Sequence, residues 1–513
     1  MKNYLNFKQT SVYKALEQIY SGPLPHLQSL RNKDKNYIET PRFIFDYSKT
    51  HFEPGARLFV QMLNELRFDE QKEALFRGLH VNTTEDRPAL HTALRLPDSS
   101  DEFPSEEIKN SVIRMRNKIK DFVEKFRHGL LSGATGKPLD TVVNIGIGGS
   151  HLGPQTIVHA LRNRNTAPYA FLSNVDDEHL ADVLEQIDPE TTLFIVVSKS
   201  FSTKETLYNA GEIQNYIKNK FGKDAIAKHF IAVTSAKDKA VNFGIDPARI
   251  FEMQAWTGGR FSLWSSAGIS IPLILGYDLF EKLLHGAYLA DRHFRDEDVL
   301  QNIPVIMALL TLIYNNLAGY ESEAHIPYSE KLFYWPFYLQ QLSMESNGKS
   351  VQRNGKTVDY QTGPVVWGAT GTNAQHSFFQ LLHQGTKIAP VYFTGYAKSE
   401  TGFSRNRTFL LANLLAQAEG LADGKKSSDP HKNFEGNRPS VSFIFNELSA
   451  ENLGFLIALF EHKTYVESIL WNINAFDQPG VELGKEIALR YEQNFTDNKD
   501  SDNPLYRFIK RNM

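Results

Sequence analysis

VVNIGIGGSHLGP, residues 142–154, begins as a Val/Ile run and then spends three glycines, a serine and a histidine within one turn before an apolar stretch resumes. A strand that breaks through a glycine-rich loop into a helix is where α/β proteins bind anions, because backbone N–H groups converge at the helix N-terminus. A tight turn that only needs positive φ uses the same residues, so the loop alone leaves both readings open. The surroundings decide the fold class. TVVNIGI, YAFLS, TLFIVVS and HFIAVT follow one another between about 141 and 234, each trailed by a helical or loop segment and preceded by the helix-like SVIRMRNKIKDFVEKF. Strands alternating with helices at this spacing predict a parallel sheet covered on both faces.

The pattern repeats further on. After GGRFSLWSSAGISIPLILG comes a helical section, then β-like runs at GPVVWGAT, IAPVYFTG and SVSFIFN, a second α/β unit. Residues 1 to about 105 show short amphipathic patterns and turn-rich pieces such as FEPGAR, and are expected to be a helical flank. GLADGKKSSDPHKNFEGNRPS (420–440) reads as a polar surface loop. A chain of 513 residues is too long for one core and predicts two domains with added elements.

Composition narrows the function. With 41% hydrophobic and 22% charged residues and a formal net charge of -3, nothing suggests general attraction to nucleic acid or membrane, so an anionic ligand must be met by a local site. The absence of cysteine removes disulfides, thiolate nucleophiles and cysteine metal centres, and fits a reducing cytoplasm. MKNYLNFKQT lacks the apolar run of a signal peptide, and IPVIMALLTLIYNN (303–316) falls short of a spanning helix and is expected to be a buried core helix.

A dinucleotide site is the nearest competitor for the opening turn, since Asp176 follows the second strand where a ribose-binding acid would sit. The spacing disagrees: Gly146 and Gly148 supply half of G-x-G-x-x-G, but the third glycine position is His151. A second loop favours a phosphate monoester. TLFIVVSKSFSTKETLYNA (192–210) runs a strand into Ser198, Lys199, Ser200, Ser202 and Thr203 before a helix, offering hydroxyls, a lysine and a helix N-terminus. Ser202 and Glu205 have capping-box spacing, so one hydroxyl is expected to start the helix. No GxxxxGK[ST] pattern is present, which disfavours a nucleoside triphosphate.

WPFYLQQLSMESNGKS (335–350) reads as an apolar helix ending at Asn347-Gly348, with Glu345 in its last turn, where the helix dipole disfavours a carboxylate by about 0.3–1 kcal/mol. Glu345 is thus either a surface residue tolerating a small penalty or a base poised to take a carbon-bound proton. Around GATGTNAQHSFFQLLHQG (368–385), Thr372 and Asn373 are placed to start a helix carrying His376 and His383, with no spacing that supports a metal site. In NAFDQPGVELGKEIA (474–488) a P-G turn precedes a helix bearing Lys485, which Glu482 and Glu486 flank as an ordinary surface ion pair would. Arg260 stands between Gly-Gly and an aromatic stretch, a place for a guanidinium that stabilises a developing oxyanion.

Six separated motifs in order, GIGGSHLGP, SKSFSTKET, GGRFSLWS, MESNGK, GTNAQHSF and FDQPGVELGK, make residues of about 40 to 490 closely resemble the glucose-6-phosphate isomerase family. The resemblance implies an α/β fold of two sugar isomerase (SIS-type) domains with mostly parallel sheets flanked by helices, plus helical N- and C-terminal extensions. The expected divisions are 1–105, 106–280, 281–490 and 491–513. It implies cofactor-independent interconversion of glucose 6-phosphate and fructose 6-phosphate through a cis-enediol, in the cytoplasm, by a homodimer with shared active sites. Ser198, Lys199, Ser200 and Thr203 become the phosphate loop, with Gly149 and Ser150 beside the sugar and Gln341 and Gln478 as further contacts. Glu345 becomes the base, Arg260 the stabiliser of the enediolate, and Lys485 and a partner-donated His376 the ring-opening groups. No metal is implied. Ala255, Thr257 and Ser200 depart from the family's usual residues without touching the proposed catalytic side chains. Two rivals remain at this level: a non-catalytic sugar-phosphate sensor, which has no need of Glu345, Arg260, His376 and Lys485 together, and a dehydrogenase using the opening glycine loop.

Overall fold

The computed structural model describes residues 4–30 and 36–513, in two compact units that part between Ala475 and Phe476. The strands of the first unit are β1 (Tyr37–Glu39), β2 (Phe43–Lys49), β3 (Thr141–Ile145), β4 (Tyr169–Leu172), β5 (Thr192–Val197), β6 (Phe230–Thr234), β7 (Ile250–Glu252), β8 (Ser322–Pro327), β9 (Val365–Trp367), β10 (Val391–Lys398) and β11 (Ser440–Glu447). They form two sheets. One has the order β4-β3-β5-β6-β7 and is parallel throughout. The other has the order β1-β2-β11-β10-β8-β9, parallel from β11 to β9 with an antiparallel edge made by β1 and β2. The four strands expected at the opening motif are β3 to β6. Every residue of β3 and β5 is buried, which is what helices on both faces of a parallel sheet require of a continuous Val/Ile/Phe run.

The sequence predicts a helical N-terminal flank, but the flank is not purely helical. Besides the helices Tyr13–Tyr20, Ala56–Glu65 and Phe68–Phe76 it supplies β1 and β2 to the edge of the second sheet. In β2, Phe43, Phe45 and Tyr47 face inward in period-two alternation, and the strand pairs with β11 almost four hundred residues away, a partner no local pattern announces. β8 escapes notice for a different reason: SEAHIP carries Glu323 and His325, both buried, so it does not look like an interior strand. The expected boundary at 490/491 falls inside the helix Glu482–Thr496, and the second compact unit runs from Phe476 to Met513.

Residues 303–316 are buried, as an α-helix Ile303–Thr311 that continues into a π-turn Leu312–Leu317, with Asn316 half-buried. Among the described residues no helix is long and apolar enough to cross a membrane. At the centre of the unit the helix Ala450–Leu470, buried from Asn452 onward, lies against the helix Tyr277–Asp296. The backbones touch through glycines: a Cβ on Gly286 would sit 1.8 Å from the Glu451 carbonyl oxygen, and one on Gly454 2.0 Å from that of Leu283.

Candidate active site

In the five-stranded sheet the chain leaves β3 for β4 on one side and then crosses to β5 on the other. The carboxyl ends of β3 and β5 therefore flank the switch point where open α/β sheets bind ligands. Both sequence-flagged loops emerge there, 146–151 after β3 and 198–203 after β5.

The opening turn is shaped first by protein backbone. A Cβ on Gly149 would lie 2.1 Å from both the carbonyl carbon and oxygen of Gly259, and 2.6 Å from the Arg260 nitrogen. Gly148 has φ +60°, and a Cβ there would stand 3.0 Å from Nε2 of Gln341. The glycines thus let the turn seat directly on the Gly259–Phe261 turn and on Gln341, with Ser150 half-buried beside them. Asp176 serves as N-cap of the helix Asp177–Glu185, its side chain accepting from the backbone N–H groups of Glu178 and His179. The acid on which the dinucleotide reading relied thus has a helix-capping role.

In the second loop, the helix Lys204–Phe221 has Thr203 as N-cap, with no side-chain cap bond. The expected Ser202–Glu205 capping box is not formed: the Ser202 hydroxyl pairs with that of Ser200 at 2.6 Å, and Ser198 Oγ donates to Thr203 Oγ1 at 3.1 Å. Phe201, at φ +46°, buries its ring in the core, and this left-handed turn presents the flanking Ser200 and Ser202 outward. Lys199 does something the motif did not predict. Its ammonium donates to the carbonyls of Ala255 at 2.8 Å and Thr257 at 2.9 Å, tying this loop to the turn leading into Gly258-Gly259-Arg260. Burial, aided by nearby Arg87, pulls its pKa down to about 8.

Arg260 and Glu345 meet at this junction. Arg260 is buried and fully oriented: Nε donates to Ser346 Oγ at 2.5 Å, Nη2 donates to the Ala475 carbonyl, and Nη1 lies 3.3 Å from Glu345 Oε2. Gln341 Nε2 donates to the same carboxylate oxygen at 3.0 Å. The Glu345 side chain keeps 25% exposure, so it is gripped on one side and open on the other. The expected helix 335–347 is interrupted: it is α from Trp335 to Gln340 and then widens into a π-turn over Gln341–Glu345. π-turns recur at functional sites because the extra residue per turn re-aims side chains, and Gln341 and Glu345 are the two ends of this one.

His376 and His383 are not on one helix. Thr370 caps a five-residue helix Gly371–Gln375, His376 follows it exposed, and His383 belongs to the next helix, Phe379–Gln384. His383 is structural, its Nε2 within 2.7 Å of Gln417 Oε1. Gln478 and Lys485 belong to the second unit; both are exposed, and Lys485 pairs with Glu482 at 2.8 Å.

Several supporting residues were not singled out from the sequence. Lys349 donates to the carbonyls of Glu345 at 3.0 Å, Ser346 at 2.8 Å and Asn474 at 3.3 Å, closing the end of the π-turn. The turn NTTEDR (82–87) is fastened to the same segment by Asn474 Nδ2, which donates to Asn82 Oδ1 and Thr84 Oγ1 at 2.9 and 2.7 Å. Lys349 lies in the MESNGK motif and was within reach of sequence reading; the 82–87 turn carried no local signal of function.

Known proteins match this chain over most of its length. A model of the phosphoglucose isomerase family matches residues 46–504. The chain is 42% identical to the glucose-6-phosphate isomerase of Christiangramia forsetii over 98% of both chains. It is 44% identical to glucose-6-phosphate isomerase 1 of Chromohalobacter salexigens over 89% of this chain and 84% of that one. Among solved structures, a glucose-6-phosphate isomerase from Chlamydia trachomatis superposes with a TM-score of 0.87 at 33% identity, covering 99% of each chain.

Proposed function

The chain belongs to the phosphoglucose isomerase family and is a glucose-6-phosphate isomerase; we propose that it works through an enediolate, with Glu345 as the proton-transferring base. The observation that carries this reading is the 3.3 Å approach of a buried Arg260 to a half-open Glu345 carboxylate at the mouth of the β3/β5 crevice. The substrate phosphate is held by the Ser198, Ser200 and Thr203 hydroxyls at the start of the helix Lys204–Phe221, where dipole and N–H groups favour an anion. Lys199 contributes there by fixing the loop through Ala255 and Thr257. Gly149, Ser150 and Gln341 border the sugar.

In the forward direction Glu345 removes the proton from C2 of the open-chain aldose, and the electron pair moves toward the C1 oxygen. Arg260 stabilises the charge developing on that oxygen, a role suited to a guanidinium already oriented by Ser346 and Ala475. The proton of the C2 hydroxyl passes to the C1 oxygen, and the ketose is completed when the electron pair left on the C2 oxygen forms the C2 carbonyl and C1 takes back the proton from Glu345. The sugar must first open, and we assign this to Lys485 together with His376 of the partner subunit, with Gln478 as a further contact. The exposure of His376 suits donation across a dimer, in a cytoplasmic enzyme that needs no metal or nucleotide for these proton transfers.

The test is a coupled assay of fructose 6-phosphate conversion in EDTA, comparing wild type with Glu345→Gln. Metal-independent turnover that falls by about 10³-fold or more in the variant is expected. Equal turnover in the two proteins would move the base elsewhere.

A further inference from the structure

The helix Ala450–Leu470 is almost wholly buried, yet it carries Glu461, Lys463 and Glu467 in its interior stretch. Buried charges rarely add stability over apolar residues of the same volume, so their presence calls for another account. Both carboxylates lead to the candidate active site.

Glu461 accepts from the indole Nε1 of Trp264 at 2.9 and 3.1 Å and pairs with Arg95, whose guanidinium lies 4.9 Å from the Trp264 ring and is also held by Asp291. Trp264 stands four residues after Arg260, in a segment so tightly folded that a Cβ on Gly268 would sit 2.0 Å from the Leu263 carbonyl oxygen. Glu467 accepts from Asn347 Nδ2 at 2.9 Å, and Asn347 also donates to the Thr464 carbonyl at 3.0 Å. Lys463 lies 2.8 Å from Glu467 and 3.0 Å from Glu323 of β8, so the acceptor for Asn347 is itself anchored to the second sheet. Asn347 is two residues beyond Glu345 and adjoins Ser346, the hydroxyl that takes Arg260 Nε. Glu461 and Glu467 are spaced about 9 Å along the helix axis and point to different sides of it.

We propose that this helix is the positioning element of the reaction: Glu461 holds the Arg260 segment through Trp264, Glu467 holds the Glu345 turn through Asn347, and one rigid rod sets the separation of the two catalytic groups. The inference rests on the assignment of Glu345 as base. Glu461, Glu467 and Asn347 are positioning residues that touch no substrate.

The experiment compares kcat and KM for Glu467→Leu, Glu467→Gln, Asn347→Ala and Glu345→Gln in the full chain. A displacement of about 1 Å at reacting groups costs about 10²-fold, so Glu467→Leu and Asn347→Ala are expected to lose 10–100-fold in kcat with KM within about 3-fold. Glu467→Gln keeps an acceptor for Asn347 and is expected to restore kcat to within about 3-fold of wild type. Should Glu467→Leu fail to fold, Asn347→Ala decides alone, because it leaves the Lys463–Glu467 pair intact. Wild-type kcat in Asn347→Ala, or a Gln variant as impaired as the Leu one, overturns the proposal. If Glu345→Gln is inactive while those results are obtained, only the positioning role falls; an active Glu345→Gln removes the base assignment itself.

Discussion

The contact between Gly149 and Gly259 makes a sharp prediction for Gly149→Ala. The added Cβ would stand 2.1 Å from the Gly259 carbonyl group, and its neighbours are backbone atoms that cannot rotate away. Reaching ordinary contact at 3.4 Å requires the two turns to separate by about 1.3 Å, an overpacking that costs about 1–3 kcal/mol. Arg260 is the residue attached to the turn that must retreat, and its 3.3 Å approach to Glu345 has no slack of that size. We therefore expect kcat to fall by about 10²-fold with KM changed less than about 3-fold. Urea denaturation should show the matching loss of stability. Gly259→Ala is the control, since a Cβ there meets nothing within 4 Å, and it should retain kcat within about 3-fold. A Gly149→Ala enzyme with wild-type kcat and stability would refute the reasoning. So would a rise in KM alone, because that would mean the methyl group obstructs the sugar and leaves Arg260 in place.

Three further outcomes are expected. Arg260→Lys keeps a positive charge but cannot reach Ser346, Ala475 and Glu345 together, so kcat should drop by about 10²–10³-fold, and a loss under 3-fold would deny the oriented guanidinium its role. Lys199, with its pKa pulled down to about 8 by burial, should show a competitive-labelling rate that titrates near that pH; a midpoint above about 10 would contradict its burial. Burial pushes Asp291 and Glu461 up to about 7 even beside Arg95, so the folded protein keeps protons that unfolded carboxylates release near pH 4. Their contribution to stability should accordingly decline as pH rises from about 4 to 7. Glu461→Gln, which still accepts from Trp264, should flatten urea midpoints across that window, and an unchanged slope would refute the assignment.

How far the sequence reaches depends on the range of the physics involved. Continuous Val/Ile runs such as TVVNI and TLFIVV announce buried parallel strands because both faces of such a sheet are covered, and the apolar requirement is written into consecutive residues. The loops after β3 and β5, and Arg260, were legible for a similar reason: glycine, hydroxyl and guanidinium chemistry is carried by neighbouring positions. The motif order carried the resemblance to the family. What the chain does over long separations was not legible. β2 joins a sheet through a strand almost four hundred residues away, and β8 hides because Glu323 and His325 are polar residues made tolerable by Lys463, Thr311 and each other. The π-turn that brings Gln341 onto Glu345 and Glu345 onto Arg260 leaves no composition signature, since α and π winding use the same residue types and differ by one residue per turn. The neighbours of Lys199 place it in a phosphate loop, and what they do not announce is that its ammonium donates to two carbonyls of another loop. Sequence by itself determined the residue types of the site and the alternation that builds its sheets, because those constraints are local; tertiary structure decided which groups meet, because a 3.3 Å contact between Arg260 and Glu345 depends on packing summed over the whole unit.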